Sequence, residues 1–175
     1  MCFALGRAAA RDALRQLGVD AVAIGRGTGG EPLWPAGVVG AISHSRDLAV
    51  AVAARRADYV GLGLDVEELA RGLPVRAARL VCRPSEMAWI EEGSATERLT
   101  MLFSAKEAIF KALYPIERVW LDFADADLTW RGDRGAFEAR VLKSVGQTYP
   151  VDFLLEVNCR LVGGHVLSTA FVPSG

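Results

Sequence analysis

The stretch Gly61-Leu62-Gly63-Leu64-Asp65-Val66-Glu67 constrains this chain more than any other. Successive side chains of a strand point to opposite faces. Leu62, Leu64 and Val66 therefore enter one apolar face, while Gly61, Gly63, Asp65 and Glu67 share the other. Two carboxylates approached through residues without side chains make a pocket floor suited to a hard cation.

Further along, Phe103-Ser104-Ala105-Lys106-Glu107-Ala108-Ile109-Phe110-Lys111 reads as a helix and adds a third carboxylate, Glu107, between Lys106 and Lys111. Three acids for a metal and two lysines for phosphate charge are the set that Mg²⁺-assisted phosphoryl chemistry requires. Plainer readings of the same residues stand beside it. An acidic pair can edge a strand in solvent, and Glu107 with Lys111 is an ordinary i,i+4 pair worth about 0.2–0.5 kcal/mol. Lys106 is different. It projects inside the arc of Leu99, Leu102, Ile109 and Leu113, where a lysine must snorkel or meet an anion.

With 175 residues, 51% of them hydrophobic, the chain fits one compact domain or two tightly joined halves. A net charge of −1 argues against a general nucleic-acid binder. Cys2, Cys82 and Cys159 suit free thiols in a reducing compartment, and His44 and His165 are too few for zinc-type spacing. No apolar run has the length of a membrane span, and the N-terminus lacks a signal-peptide layout. These features imply a cytoplasmic protein with no membrane partner.

Periodicity predicts a helix over 3–17, with Phe3, Ala10, Leu14 and Leu17 on one side and Arg7, Arg11 and Arg15 in a ladder beside them. Such a ladder is either a solvated face or an anion clamp. Strands are expected at 21–24, 38–44, 48–54 and 59–67, the last two forming a hairpin that ends at the carboxylates. Helices follow over 71–82 and 85–92, with Ser85 as a cap, and over 97–113, ended by Pro115. Four strand-like runs then cover 126–131, 137–145, 151–158 and 161–172. A helix followed by antiparallel strands occurs twice, which implies two similar α+β halves. The glycine-rich run 25–30 is not a dinucleotide fingerprint, because Pro32 and Pro35 oppose the helix that must follow it. No P-loop is present, and His44 lacks the nucleophile elbow of a serine triad.

Taken together, the chain resembles the surfactin-type 4'-phosphopantetheinyl transferases, in particular the enterobactin synthase component D branch. Four motifs occur in order: the Arg7 to Arg11 helix ending in Leu17-Gly18, Gly30-Glu31-Pro32-Leu33-Trp34-Pro35-Ala36-Gly37 leading to Ser43-His44, Gly63-Leu64-Asp65-Val66-Glu67, and the 103–111 helix. The family pattern has several dozen residues before the first arginine pair. Here only Met1 to Gly6 precede Arg7, and the lysine often found ahead of Glu31 is missing, which leaves Arg26 as the nearest basic candidate.

The resemblance implies transfer of 4'-phosphopantetheine from coenzyme A to a serine of an apo acyl or peptidyl carrier protein, with release of 3',5'-ADP. Siderophore, nonribosomal peptide or polyketide synthesis is the implied setting. It assigns Asp65, Glu67 and Glu107 to Mg²⁺ (or Mn²⁺), Glu107 and Lys111 to catalysis, and Arg7, Arg11, Arg26, Ser43, His44, Lys106 and Lys111 to coenzyme A. The implied fold is α+β, with two pseudo-symmetric halves in a monomer, 1–60 and 61–175, each a helix packed on a small antiparallel sheet with the active site at their interface. Arg76, Arg79 and Arg83, spaced along one expected helical face with Met87 and Trp89 beyond, are either a carrier-docking patch or a solvated face with Trp89 in the core. Two other readings stay open: a non-catalytic homologue that binds coenzyme A or a carrier, and a Mg²⁺-dependent phosphodiester hydrolase.

Overall fold

The structure is a computed structural model that describes residues 2–20, 23–46 and 48–175. Its first part holds helix α1 (Cys2–Gln16), a short hairpin of β1 (Gly25–Arg26) and β2 (Pro32–Leu33), and a longer one of β3 (Val38–His44) and β4 (Ala49–Arg55). Helix α1 packs on β3 and β4. Ala10 and Leu14 are fully buried in this small core with Ile24 and Val38, whereas Phe3, expected on the same stripe, is 60% exposed. The approach to β3 is close, because a Cβ on Gly6 would press on the Ile42 methyl. Of the strand expected over 21–24, Ala21 and Val22 lie outside the described residues, and buried Ile24 precedes β1 without joining a strand. Asp47, in the expected turn before β4, also lies outside them.

The second part begins with β5 (Tyr59–Glu68) and is centred on a long helix, numbered α4 below. The expected hairpin of residues 48–54 with β5 does not form. β4 pairs with β3, from Val38↔Arg55 to His44↔Ala49, and β5 pairs antiparallel with β9 (His165–Pro173). With β6 (Ala126–Arg131), β7 (Ala136–Val141) and β8 (Phe153–Val162), they form a five-stranded antiparallel sheet in the order β5-β9-β8-β7-β6.

Two short helices, α2 (Ala78–Val81) and α3 (Pro84–Glu91), precede α4 (Ala95–Glu117). The continuous helix expected over 71–82 is replaced by single 3₁₀ turns at Leu69–Arg71 and Val75–Ala77 followed by α2, and Cys82 is extended. Arg76, Arg79 and Arg83 thus share no helical face. Arg83 instead donates to the Ala124 carbonyl at 2.5 Å. Helix α3 starts one residue earlier than expected, with Pro84 at its first position and Glu86 accepting from the Arg83 amide at 2.6 Å, so Ser85 is not the cap. Trp89 packs on Trp130 and Phe137, a core role.

The apolar face of α4 is buried as its spacing requires: Leu99, Leu102, Ala105, Ile109 and Leu113 all lie in the main core. Pro115 does not end this helix. It removes one late hydrogen bond on an exposed side, and α4 runs on to Glu117, where Arg118 takes a left-handed conformation (φ 54°). Strand β5 lies so close to α4 that a Cβ on Gly61 or Gly63 would overlap the carbonyl oxygens of Ala112 or Ala108. The alternation read from sequence is thus observed: the glycine face meets α4, and Leu62, Leu64 and Val66 are buried on the other. The architecture is α+β, with a helix on an antiparallel sheet in each part. Among the described residues no helix is long and apolar enough to cross a membrane.

Candidate functional site

Three elements meet at one point. β5 carries Asp65 and Glu67 on its glycine face, α4 carries Glu107 and Lys111 toward that face, and β3 ends at Ser43-His44 beside them. Asp65 is 3% exposed. Its Oδ1 accepts from Lys111 Nζ at 2.6 Å and from Ser43 Oγ at 2.9 Å. The same Ser43 oxygen accepts from the Val66 amide at 3.3 Å and lies 3.1 Å from Lys111 Nζ. One serine, one aspartate and one lysine thus tie the two parts of the chain together. Asp65 Oδ2 is buried without a hydrogen-bond donor, which is costly for a carboxylate oxygen.

Electrostatics single out the same place. Burial first, then the charge of Asp65 and more weakly that of Glu107, push the Glu67 carboxyl up to about 7, against an opposing pull from Lys111. Burial also raises Glu107, with Lys111 opposing and Asp65 adding to the rise. The donor chemistry fits a hard divalent cation, since all three groups offer oxygen, one oxygen is orphaned, and their mutual repulsion calls for positive charge. As placed, no three acidic, histidine or cysteine side chains among the described residues close into a ligand set. The Lys111 ammonium supplies the local counter-charge instead.

His44 is exposed at the end of β3 and lines a cavity of about 280 Å³ with Arg46, Glu67 and Arg71. A second cavity, of about 200 Å³, runs from Glu107 along Phe110 to Trp120. Phe110 stacks on Tyr114, Trp120 meets both rings edge-on, and Trp120 is 62% exposed. Sequence reading passed over these aromatic residues. The i,i+4 spacing of Phe110 and Tyr114 on the helix was the available signal, whereas Trp120 lies beyond the end of α4.

The arginines expected to bind anions, Arg7, Arg11 and Arg26, lie on α1 and β1. Arg7 Nη2 donates to the Gly25 carbonyl at 2.8 Å, and Arg7 Nε is buried without a partner. Burial and then the neighbouring charge of Arg26 lower the pKa of Arg7, so two like charges stand close together where an anion would relieve both. Arg11 is exposed one turn further along α1, and Arg15 pairs with Asp12 in solvent.

Lys106 requires correction. Its ammonium is buried and spends all three donors inside the fold, on Glu86 Oε2 at 2.8 Å and on the carbonyls of Val81 and Phe123 at 2.9 Å each. No donor remains for a phosphate. Of the two outcomes open to it, snorkelling or meeting an anion, Lys106 meets an anion, Glu86, which also accepts from the amides of Arg83 and Leu128. Sequence reading missed Glu86 as that partner because it lies on another helix.

The chain matches known proteins along most of its length. Residues 2–54 match the 4'-phosphopantetheinyl transferase N-terminal domain, and residues 61–169 match the 4'-phosphopantetheinyl transferase superfamily. It is 41% identical over 145 residues to the 4'-phosphopantetheinyl transferase Svp of Streptomyces mobaraensis, covering 80% of this chain and 58% of that one. Identity is 37% over 110 residues to enterobactin synthase component D of Salmonella typhi, covering 61% and 45%. The chain thus spans about half to three fifths of these relatives' length. In fold it resembles the Thermotoga maritima holo-[acyl-carrier-protein] synthase, with a TM-score of 0.54 at 23% identity over 67% of this chain and 65% of the other. On these matches the chain belongs to the 4'-phosphopantetheinyl transferase superfamily.

Proposed function

We propose that the protein is a holo-carrier-protein synthase, which moves 4'-phosphopantetheine from coenzyme A to a serine of an apo acyl or peptidyl carrier protein. The observation that carries this reading is the junction of Asp65, Ser43 and Lys111, flanked by Glu67 and Glu107, in a chain of this superfamily. The serine oxygen attacks the phosphorus that bears pantetheine. The phosphoanhydride bond breaks, and 3',5'-ADP leaves.

Glu107 takes the serine proton, directly or through a water held at the same site. Lys111 stabilises charge on the transferring group or protonates the leaving oxygen. Arg7, Arg11, Arg26 and His44 hold the 3'-phosphate and pyrophosphate, with Ser43 at the junction. Asp65, Glu67 and Glu107 would hold Mg²⁺, which neutralises phosphate charge as the bond breaks. The two halves meet near residue 60, and we place the enzyme in the cytoplasm as a monomer serving siderophore, nonribosomal peptide or polyketide assembly.

The test is mass spectrometry of apo carrier proteins incubated with coenzyme A and Mg²⁺. Transfer should add the phosphopantetheine mass to the carrier serine, and a folded Asp65→Ala variant should lose it. Free phosphopantetheine with an unmodified carrier would mean hydrolysis. Coenzyme A binding without either product would mean a non-catalytic homologue.

A further inference from the structure

Residues 25–33 form a tight loop closed by β1 and β2, with Gly25 opposite Leu33 and Arg26 opposite Pro32. Inside it the Gly27 amide donates to the Glu31 carbonyl at 2.8 Å, and the Gly30 amide to the Gly27 carbonyl at 3.0 Å. The Glu31 side chain folds back over this loop and is only 11% exposed. A Cβ on Gly27 would overlap the Glu31 carboxylate, and one on Gly29 would overlap the Tyr114 hydroxyl. The glycines are what let a carboxylate and a tyrosine from α4 approach the loop backbone.

Both Glu31 carboxylate oxygens are buried without an aligned hydrogen-bond donor. Their counter-charge is Arg118, with Nη2 at 3.0 Å from Oε1. Arg118 Nη1 also reaches Thr28 Oγ1 at 3.3 Å. The left-handed turn at Arg118, closed by its amide on the Tyr114 carbonyl at 2.8 Å, sets that residue at the end of α4. The same helix carries Glu107 and Lys111. The loop carries Arg26, and its Gly25 carbonyl receives Arg7.

We propose that Glu31 and Arg118 form a clasp that positions the Arg26 loop against α4, and so sets the coenzyme A phosphates relative to Glu107 and Lys111. This rests on the transferase reading above. Arg118 is 61% exposed, so the ion pair itself contributes little to global stability. Its effect is local. Without Arg118 the Glu31 carboxylate is a buried charge with no compensation, and it leaves its seat over Gly27 and Gly29. Neither residue touches the reacting atoms. They are positioning residues, and misplacing a binding loop raises KM for the substrate it holds.

The experiment is a double-mutant cycle of Glu31→Gln and Arg118→Gln, read by steady-state kinetics and by amide hydrogen exchange. Either single variant should raise KM for coenzyme A about fivefold, the ceiling for a partly exposed pair, with kcat and the carrier KM within about twofold of wild type. The double variant should be no worse than either single one, and Arg118→Lys should recover part of the loss. Exchange should speed up in residues 25–33 while that of β3 and β4 stays as in wild type. Unchanged exchange in 25–33, additive effects in the cycle, or faster exchange throughout the protein would each overturn the clasp. If the wild type transfers nothing, the transferase reading fails, and the exchange data judge the clasp without it.

Discussion

Replacing Glu67 by Gln should stabilise the protein at neutral and alkaline pH while removing a residue proposed to hold the metal. The Glu67 carboxyl is pushed from the ordinary 4.5 to about 7, chiefly by burial and by Asp65. Its folded-state pKa is therefore raised, and the folded protein binds the proton more tightly than the unfolded chain does. Stability falls as pH rises from about 4.5 to about 7, and the full cost is present above that window. At about 1.36 kcal/mol per pH unit the ceiling is about 3 kcal/mol. Glu67 is only half-buried, and solvent screening reduces this to about 1–2 kcal/mol. For a protein of this size that is a rise of about 3–6 °C in Tm. Glutamine keeps the shape of the protonated acid. Melting curves of the two proteins should therefore coincide near pH 4.5 and diverge above it, the variant melting higher at pH 8. Millimolar Mg²⁺ at pH 8 should raise Tm of the wild type more than that of the variant. Parallel Tm–pH curves, or a variant less stable at pH 8, would refute the electrostatic reasoning.

Lys106→Met should destabilise the protein by about 3–5 kcal/mol in denaturant titrations, because Glu86 is left buried without its partner. Adding Glu86→Leu should recover most of that loss, and coenzyme A affinity of the folded double variant should match wild type. Gly63→Ala should cost about 3 kcal/mol or more, since the new methyl overlaps the Ala108 carbonyl and pushes β5 off α4. Urea unfolding measures it. Lys111→Ala should lower kcat by about 10²–10³, with a smaller change in coenzyme A affinity by calorimetry. An equal loss in both would make Lys111 a binding residue alone.

Much of the site was legible because its signals are local. The alternation of glycine and leucine before Asp65 fixes which side chains share a face, and the 3.6-residue period of the 97–113 stretch fixes the buried side of α4. Pairing was not legible. Nothing within the Tyr59–Glu68 segment says that its neighbour is His165–Pro173, since register depends on contacts across the chain. Lys106 shows the same limit. Its position left snorkelling or an anion open, and the anion it meets sits on α3, which spacing cannot name. Over residues 71–82 a helical pattern lost to punctuation. Pro74 disfavours the α conformation at the residue before it, and Pro84 does the same to Arg83, which leaves room for α2 alone.

The pairing of β5 with β9 also orders events in time. During synthesis the strand that bears Asp65 and Glu67 emerges long before the strand that completes its backbone hydrogen bonds, and α4 and three other strands are made in between. Contacts so distant along the chain form late. Until residues 165–173 have left the ribosome, the backbone edge of β5 that pairs with β9 lacks its partner, a template for the wrong strand. A chain halted before His165 would carry every proposed catalytic and metal-binding residue and still lack the strand that holds Asp65 and Glu67 in register. The proposed site is therefore not assembled piecemeal from the N-terminus, since its strand is completed only by β9.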